Sequence, residues 1–181
     1  MSILNILKYP DSLLQTKAKP VSKVDEEIKR LITDMAETMY FAKGIGLAAT
    51  QVGVHKRVAV LDVPKDHTKH EGKIFKRGEN LIALINPEIT DHEGEIKYEE
   101  GCLSIPGFTA DVKRFSKVAV MALNKDGNEM EIHADGLLAI ALQHEIDHLD
   151  GILFIDRLSK LKRDIIKRKI KKAIESEKKM L

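Results

Sequence analysis

The chain has 181 residues, 43% of them hydrophobic and 32% charged, with a formal net charge of +2. That length suits one domain, 1–181, with a core of its own, and the composition excludes wholesale disorder. No apolar run approaches the roughly 20 residues of a membrane span, and the opening MSILNILKYP lacks the charge, apolar stretch and cleavage site of a secretory signal. No membrane attachment is expected, and the cytoplasm is the expected compartment. With only 4% aromatic residues and no Trp, the core must be built from Leu, Ile, Val and Ala. A single cysteine cannot close an internal disulfide, so Cys102 is a buried small residue, a nucleophile or a metal ligand. Charge is unevenly spread: from Lys160 onward there are ten Lys or Arg against three Asp or Glu, a net +7 that leaves −5 on the preceding 159 residues. A basic tail on an acidic body fits a polyanionic partner or a solvated helix face.

Taken in chain order, Ile28, Leu31, Ile32, Met35 and Met39 recur at helical spacing behind Asp25, which predicts a capped helix over about 25–42 that ends at Gly44. GIGLAATQVG reads as a tight loop of small residues, and RVAVLDV as a strand. Residues 64–80 are charged and aperiodic, which predicts a surface loop. LIALINPEI, EIKYEEGCL, KVAVMALN and EMEIHA read as further strands, with Asp126-Gly127 turning the last two into a hairpin. Asp135 is a good cap for a helix through GLLAIALQHEIDHLDG that stops at Gly151. From about Ser159 a second amphipathic helix carries Leu161, Ile165, Ile166, Ile170, Ala173 and Ile174 as its stripe. The order of elements is not an alternating βαβ series. It predicts an α+β fold, mostly antiparallel strands around a central HExxH helix with helices toward both ends.

The segment QHEIDH places His144 and His148 four apart, so that both project from one helix face toward one ion. Glu145 lies about 100° round, within reach of a water at that ion. Leu137, Ile140 and Ala141 fall on the histidine face, so the ligand stripe continues an apolar one and belongs in a pocket rather than on a surface. Two histidines leave a catalytic metal site one protein ligand short. Asp147 points to the other side of the helix, whereas Cys102 sits in EEGCLSIPG, where Gly101 allows close approach and Pro106 and Gly107 turn the chain; the thiolate is the better third ligand. GIGLAATQ fits the pattern GxGxxA, but it follows a helix where a dinucleotide fingerprint must follow a strand. What remains is a loop whose small residues, Gly46 among them, let backbone approach a ligand, ending in Gln51, whose amide can donate. His67 and His70 have HxxH spacing, but in a Lys-rich loop they are a weak metal candidate.

Together, GIGLAATQ, EGCLS and QHEIDHLDG resemble, in order and spacing, the three motifs of peptide deformylases, enzymes that remove the formyl group from N-terminal formyl-methionine. The likeness extends through LKYPDSLL, INPEI and DRLS and so covers nearly the whole chain. The resemblance implies Cys102, His144 and His148 as metal ligands and Glu145 as the catalytic carboxylate. It also implies that Gln51 and the backbone amide of Leu103 stabilise an oxyanion. It implies Fe²⁺ in the cell, with Zn²⁺, Ni²⁺ or Co²⁺ able to substitute, while the donor set alone suits both zinc and ferrous iron. N-formylmethionyl nascent peptides are the implied substrates, and the apolar Leu137, Ile140 and Ala141, with Ile45 opposite, would take the methionine side chain. The basic 160–181 helix suggests contact with the ribosome. The chain departs from many relatives at Thr109, where an arginine that holds the peptide is common. A zincin-like metallopeptidase would normally use His or Glu as third ligand, and a structural zinc site would need a fourth protein ligand, which these motifs do not offer.

Overall fold

The computed structural model of the chain describes residues 2–64 and 77–178; the HxxH pair His67 and His70, and most of the expected 64–80 loop, lie outside the described residues. Helix α1 spans Glu26–Phe41, and Asp25 caps it by accepting the Ile28 N–H at 3.0 Å, with Glu26 and Glu27 in the first turn, where the helix dipole favours negative charge. The helix ends differently from expectation. Lys43, not Gly44, adopts the left-handed conformation, at φ 58, and the Gly44 N–H returns to the Met39 carbonyl at 2.9 Å. Glycine at 44 answers to space instead, since a Cβ there would lie 2.7 Å from Leu103 Cδ1.

Within GIGLAATQ, expected as a loop, strand β1 (Gly46–Ala48) is followed by a 3-10 turn over Ala49–Val52. Three residues are too few for alternation to register in the sequence. β1 pairs antiparallel with β2 (Val58–Asp62), which starts a sheet that continues through β3 (Leu81–Glu93), β6 (Lys117–Leu123) and β7 (Glu129–Asp135), with every pairing antiparallel. Gly127, at φ 84, turns the β6–β7 hairpin as expected.

β2 has helices on both faces, which is why it reads as an unbroken apolar run rather than an alternating one. Val58 and Val60 pack with Ile28, Ile32, Met35 and Met39 of α1. Ala59 and Leu61 pack on the other side with Leu142, Ile146 and Leu149 of α2 (Gly136–Leu149). Helix α2 is buried around most of its circumference, as its nearly continuous hydrophobicity requires. Asp135 precedes it without making the expected side-chain cap, while Gly151, at φ 75, follows its end as expected.

A second, two-stranded ribbon of β4 (Ile96–Cys102) and β5 (Ile105–Arg114) lies against α2 away from the main sheet, tied to it by Glu100–His144 and Arg114–Asp147 contacts. Sequence reading places a turn at Pro106 and Gly107 and misses β5. The chain in fact turns at Leu103-Ser104, and Pro106–Phe108 bulge out between the pairs Cys102–Ile105 and Gly101–Thr109. Pro and Gly thus mark an irregularity inside a strand. Helix α3 (Lys160–Lys178) packs Ile166, Ile170 and Ile174 onto a cluster with Leu14, Ile105 and Phe154. The expected stripe is narrower than drawn: Leu161 is 69% exposed, and Ile165 and Ala173 also face outward.

Candidate active site

Helix α2 and the β4–β5 turn bring three donor atoms together. His148 Nε2 lies 3.2 Å from His144 Nε2 and 3.2 Å from Cys102 Sγ, and all three donors fall within 4.8 Å of one another. Around a tetrahedral ion with bonds of roughly 2.0–2.3 Å, neighbouring donors stand about 3.3–3.6 Å apart, so the two distances from His148 Nε2 are within a few tenths of an ångström of those in a metal cage. Orientation agrees. His144 Nδ1 is 2.8 Å from Glu100 Oε2, which fixes the ring so that Nε2 presents its lone pair. Burial opposes ionisation of Cys102, but the facing His148 and His144 outweigh it and hold the thiol well below its ordinary range. Burial likewise opposes a charge on His144, yet its bonds to Cys102 and Glu100 hold it well above the usual imidazole range. The cluster therefore demands positive charge beside a thiolate, which a divalent cation can supply to neutral imidazoles. Two nitrogens and one sulfur fit a borderline metal such as zinc or ferrous iron.

Glu145, one residue on from His144, is buried, and burial pushes its carboxyl up to about 7 against the lowering effect of the two histidines. Its Oε1 lies so close to the β1 backbone that a Cβ at Gly46 would fall 2.3 Å from it. The requirement for glycine at 46 is thus set by the carboxylate as well as by any ligand. Among the described residues Glu145 Oε2 has no hydrogen-bond partner, as suits a group kept for a transferable proton.

Gln51 is buried, and its Oε1 accepts the Ala48 N–H at 2.9 Å, which fixes the amide orientation. The NH₂ group consequently faces the centre, donating to Ser104 Oγ at 3.1 Å and lying 3.5 Å from Cys102 Sγ. Leu103 follows Cys102 in the same turn. These groups open onto a cleft of about 590 Å³, whose walls include Ile45 and Gly46 on one side and Leu137, Ile140 and Ala141 on the other. The residues singled out for metal binding, proton transfer, oxyanion stabilisation and the methionine pocket come together here, with His148 completing the donor cluster. Thr109 does not: its hydroxyl donates to the Glu99 carboxylate at 2.7 Å, and Pro106 and Gly107 line that end of the cleft.

The sequence reading misses what stands behind the donors. Glu100, which holds His144, is itself gripped by Arg114 through Nε at 2.6 Å and Nη2 at 2.9 Å. Arg114 Nη1 donates to Asp147 at 2.6 Å, and Arg157 closes the chain on Asp147. Burial disfavours an ionised Glu100, but Arg114 and His144 overcome it and hold the carboxyl at about 2. The N-terminal segment is also missed. Leu7 N–H donates to the Gln51 carbonyl and Tyr9 N–H to that of Ser104, each at 2.8 Å, so one strand of chain laces the two sides of the site together. Neither feature has a local pattern; only Glu100, next to the Gly101-Cys102 step, offered a hint.

The family model for polypeptide deformylase matches residues 3–164. The chain belongs to that family. It is accordingly a hydrolase, and deformylation is its activity. A peptide deformylase of Thermodesulfovibrio yellowstonii is 55% identical over 94% of this chain and 98% of its own length. One from Neisseria meningitidis serogroup B is 54% identical over 95% and 96%. Among solved structures, the Legionella pneumophila deformylase superposes with a TM-score of 0.83 at 46% identity, covering 97% of both chains. The Ehrlichia chaffeensis deformylase in complex with actinonin gives 0.85 at 46%, covering 96% and 98%. The mostly antiparallel α+β architecture is therefore that of the deformylases. No helix among the described residues is long and apolar enough to cross a membrane.

Proposed function

We propose that this deformylase acts on N-terminal formyl-methionine of newly made chains, with Cys102, His144 and His148 holding one divalent metal ion, Glu145 moving the proton, and Gln51 and the Leu103 N–H stabilising the oxyanion. The observation that carries the proposal is the convergence of three donor atoms beside a buried carboxylate at the floor of the cleft. When bound, the ion would supply Lewis-acid polarisation and lower the pKa of water toward about 7.

Glu145 takes the proton from the attacking water and delivers it to the leaving nitrogen, which releases formate and a free α-amino group. A carboxyl raised toward neutrality is suited to both halves of that transfer. Charge that develops on the formyl oxygen meets Gln51 Nε2 and the Leu103 N–H, whose directions are set before the substrate arrives. Leu137, Ile140, Ala141 and Ile45 form the apolar wall for the unbranched methionine side chain, and Gly46 lets the peptide backbone approach. A thiolate with two imidazoles supports Fe²⁺ as the cellular ion, with Zn²⁺, Ni²⁺ or Co²⁺ as substitutes. The expected assay result is formate release from formyl-Met-Ala-Ser, under anaerobic conditions with Fe²⁺ or Ni²⁺, and none from the acetylated peptide. Chelation should abolish turnover and metal return should restore it; a folded, metal-loaded protein that released no formate would end this reading.

We read residues 1–181 as one catalytic domain acting in the cytoplasm, with 160–181 as a basic appended helix. The packing of Ile166, Ile170 and Ile174 against a cluster that reaches Cys102 supports that unity. Lys162, Lys169 and Lys172 face outward, which supports a ribosome contact near emerging chains. Replacing those three lysines by Glu leaves the apolar side of α3 in place, and should weaken salt-sensitive ribosome binding tenfold or more in a sedimentation assay. Unchanged binding would refute the contact.

A further inference from the structure

The cleft also carries two ammonium groups that the hydrolytic step does not use. Lys8 and Lys43 both line it. Lys8 comes from the N-terminal segment, and its Nζ donates to the Leu103 carbonyl at 2.5 Å. Lys43 comes from the end of α1, next to Gly44, whose Cα approaches Leu103 so closely that any Cβ would meet its Cδ1. Two separate stretches of chain thus bring positive charge to one cleft, Lys8 at the Leu103 carbonyl itself and Lys43 next to the glycine that packs against the Leu103 side chain. Among the described residues neither ammonium has a carboxylate within ion-pair distance. Of the acidic groups of the cleft, Glu100 is neutralised by Arg114 and Glu145 is buried, while Glu99 accepts from the neutral Thr109 hydroxyl and keeps its single charge.

We propose that Lys8 and Lys43 form a cationic rim that selects formylated peptides with acidic side chains immediately after the methionine. The inference rests on the cleft being the peptide site. With the formyl group at the donor cluster and the methionine against α2, the following residues leave past Leu103 and meet this rim. On the opposite ribbon Thr109 contributes no charge and Glu99 a single negative one, so the two lysines leave the rim with a net positive charge. A solvent-exposed pair is worth up to about fivefold in affinity, so two in concert are expected to give roughly tenfold discrimination that salt screens.

The test uses C-terminally amidated formyl-Met-X-X-Ala peptides with X as Asp, Ser or Lys, and the metal-loaded full chain. At low ionic strength kcat/KM should rank Asp above Ser above Lys, with Asp over Lys by about tenfold, and the ratio should shrink toward one at about 0.5 M salt. It should also collapse in the double variant Lys8→Gln, Lys43→Asn. Gln retains a donor for the Leu103 carbonyl, and Asn tolerates the left-handed backbone at 43. A native ratio at or below one, or a ratio that survives both replacements, would overturn the proposal. Formate from none of the three peptides would instead remove the deformylase reading on which the rim depends.

Discussion

Glu145→Gln is expected to lower kcat for formate release by about three to four orders of magnitude while the metal content stays at the native level. Gln keeps the volume and one oxygen of Glu but cannot accept and return a proton, and positioned proton transfer is worth about 10²–10⁴ in rate. The side chain is 3% exposed and packed against Gly46, so an isosteric replacement leaves the surrounding backbone in place. The sign of the stability effect separates lost chemistry from lost structure. The carboxyl of Glu145 is raised to about 7 from 4.5 by burial, so the folded state binds its proton more tightly than the unfolded state. Such a group favours folding fully below the unfolded value and loses that contribution as pH rises through about 7. Metal-free Glu145→Gln should therefore be more stable than the metal-free native chain at pH 8 and similar to it near pH 4, as read from denaturant midpoints. A loss of less than tenfold in kcat, in protein with full metal, would mean that another group carries the proton.

The site was legible in the sequence to the extent that its chemistry is local. His144, Glu145 and His148 lie within one and a half turns of one helix, so their relative directions follow from helical geometry alone. The strong elements were legible for similar reasons: α1 and α2 have sustained apolar periodicity, and β2, buried on both faces, shows it as an unbroken run. Cys102 and Gln51 were candidates by residue type and neighbours, and nothing in spacing could place them against α2. That placement depends on the β4–β5 turn and on the hydrogen bonds from Gln51 to Ala48 and Ser104.

What escaped was either too short or too distant in sequence. β1 has three residues, and β5 contains the Pro-Gly step that ordinarily ends strands but here bulges out between two paired positions. The α3 stripe was overdrawn because a 3.6-residue period marks which residues share a side, not how wide a neighbour covers it; the neighbour reaches Ile166, Ile170 and Ile174 and leaves Leu161 in solvent. The Glu100–Arg114–Asp147–Arg157 chain joins residues from β4, β5, α2 and the segment beyond it. No periodicity or spacing links these four charged residues in the sequence, and only tertiary structure reveals that Glu100, Arg114 and Asp147 are buried together.

Burial makes Arg114 the position whose loss should cost the fold most. Arg114→Met is expected to lower unfolding free energy by about 3–5 kcal/mol, because it leaves Glu100 and Asp147 buried with their shared partner gone. Arg157 still reaches Asp147, whereas Glu100 keeps only His144, so the damage should concentrate at the residue that orients a metal donor. Metal affinity should consequently fall about 10–100-fold, as it does when an outer-shell partner is removed. The pH dependence identifies the carboxylate responsible. Glu100 sits at about 2 in the folded chain against 4.5 as its ordinary value, so its contribution, on the order of 3 kcal/mol, is present above pH 4.5 and is lost as pH falls through about 2. In Arg114→Met that acid-side loss should be much reduced, because the charge is no longer favoured in the folded state. Denaturant unfolding from pH 7 to pH 2.5, with metal competition at pH 7, measures both effects. A variant as stable at pH 7 and as tight for metal as the native chain would show that His144 is held in place without Arg114.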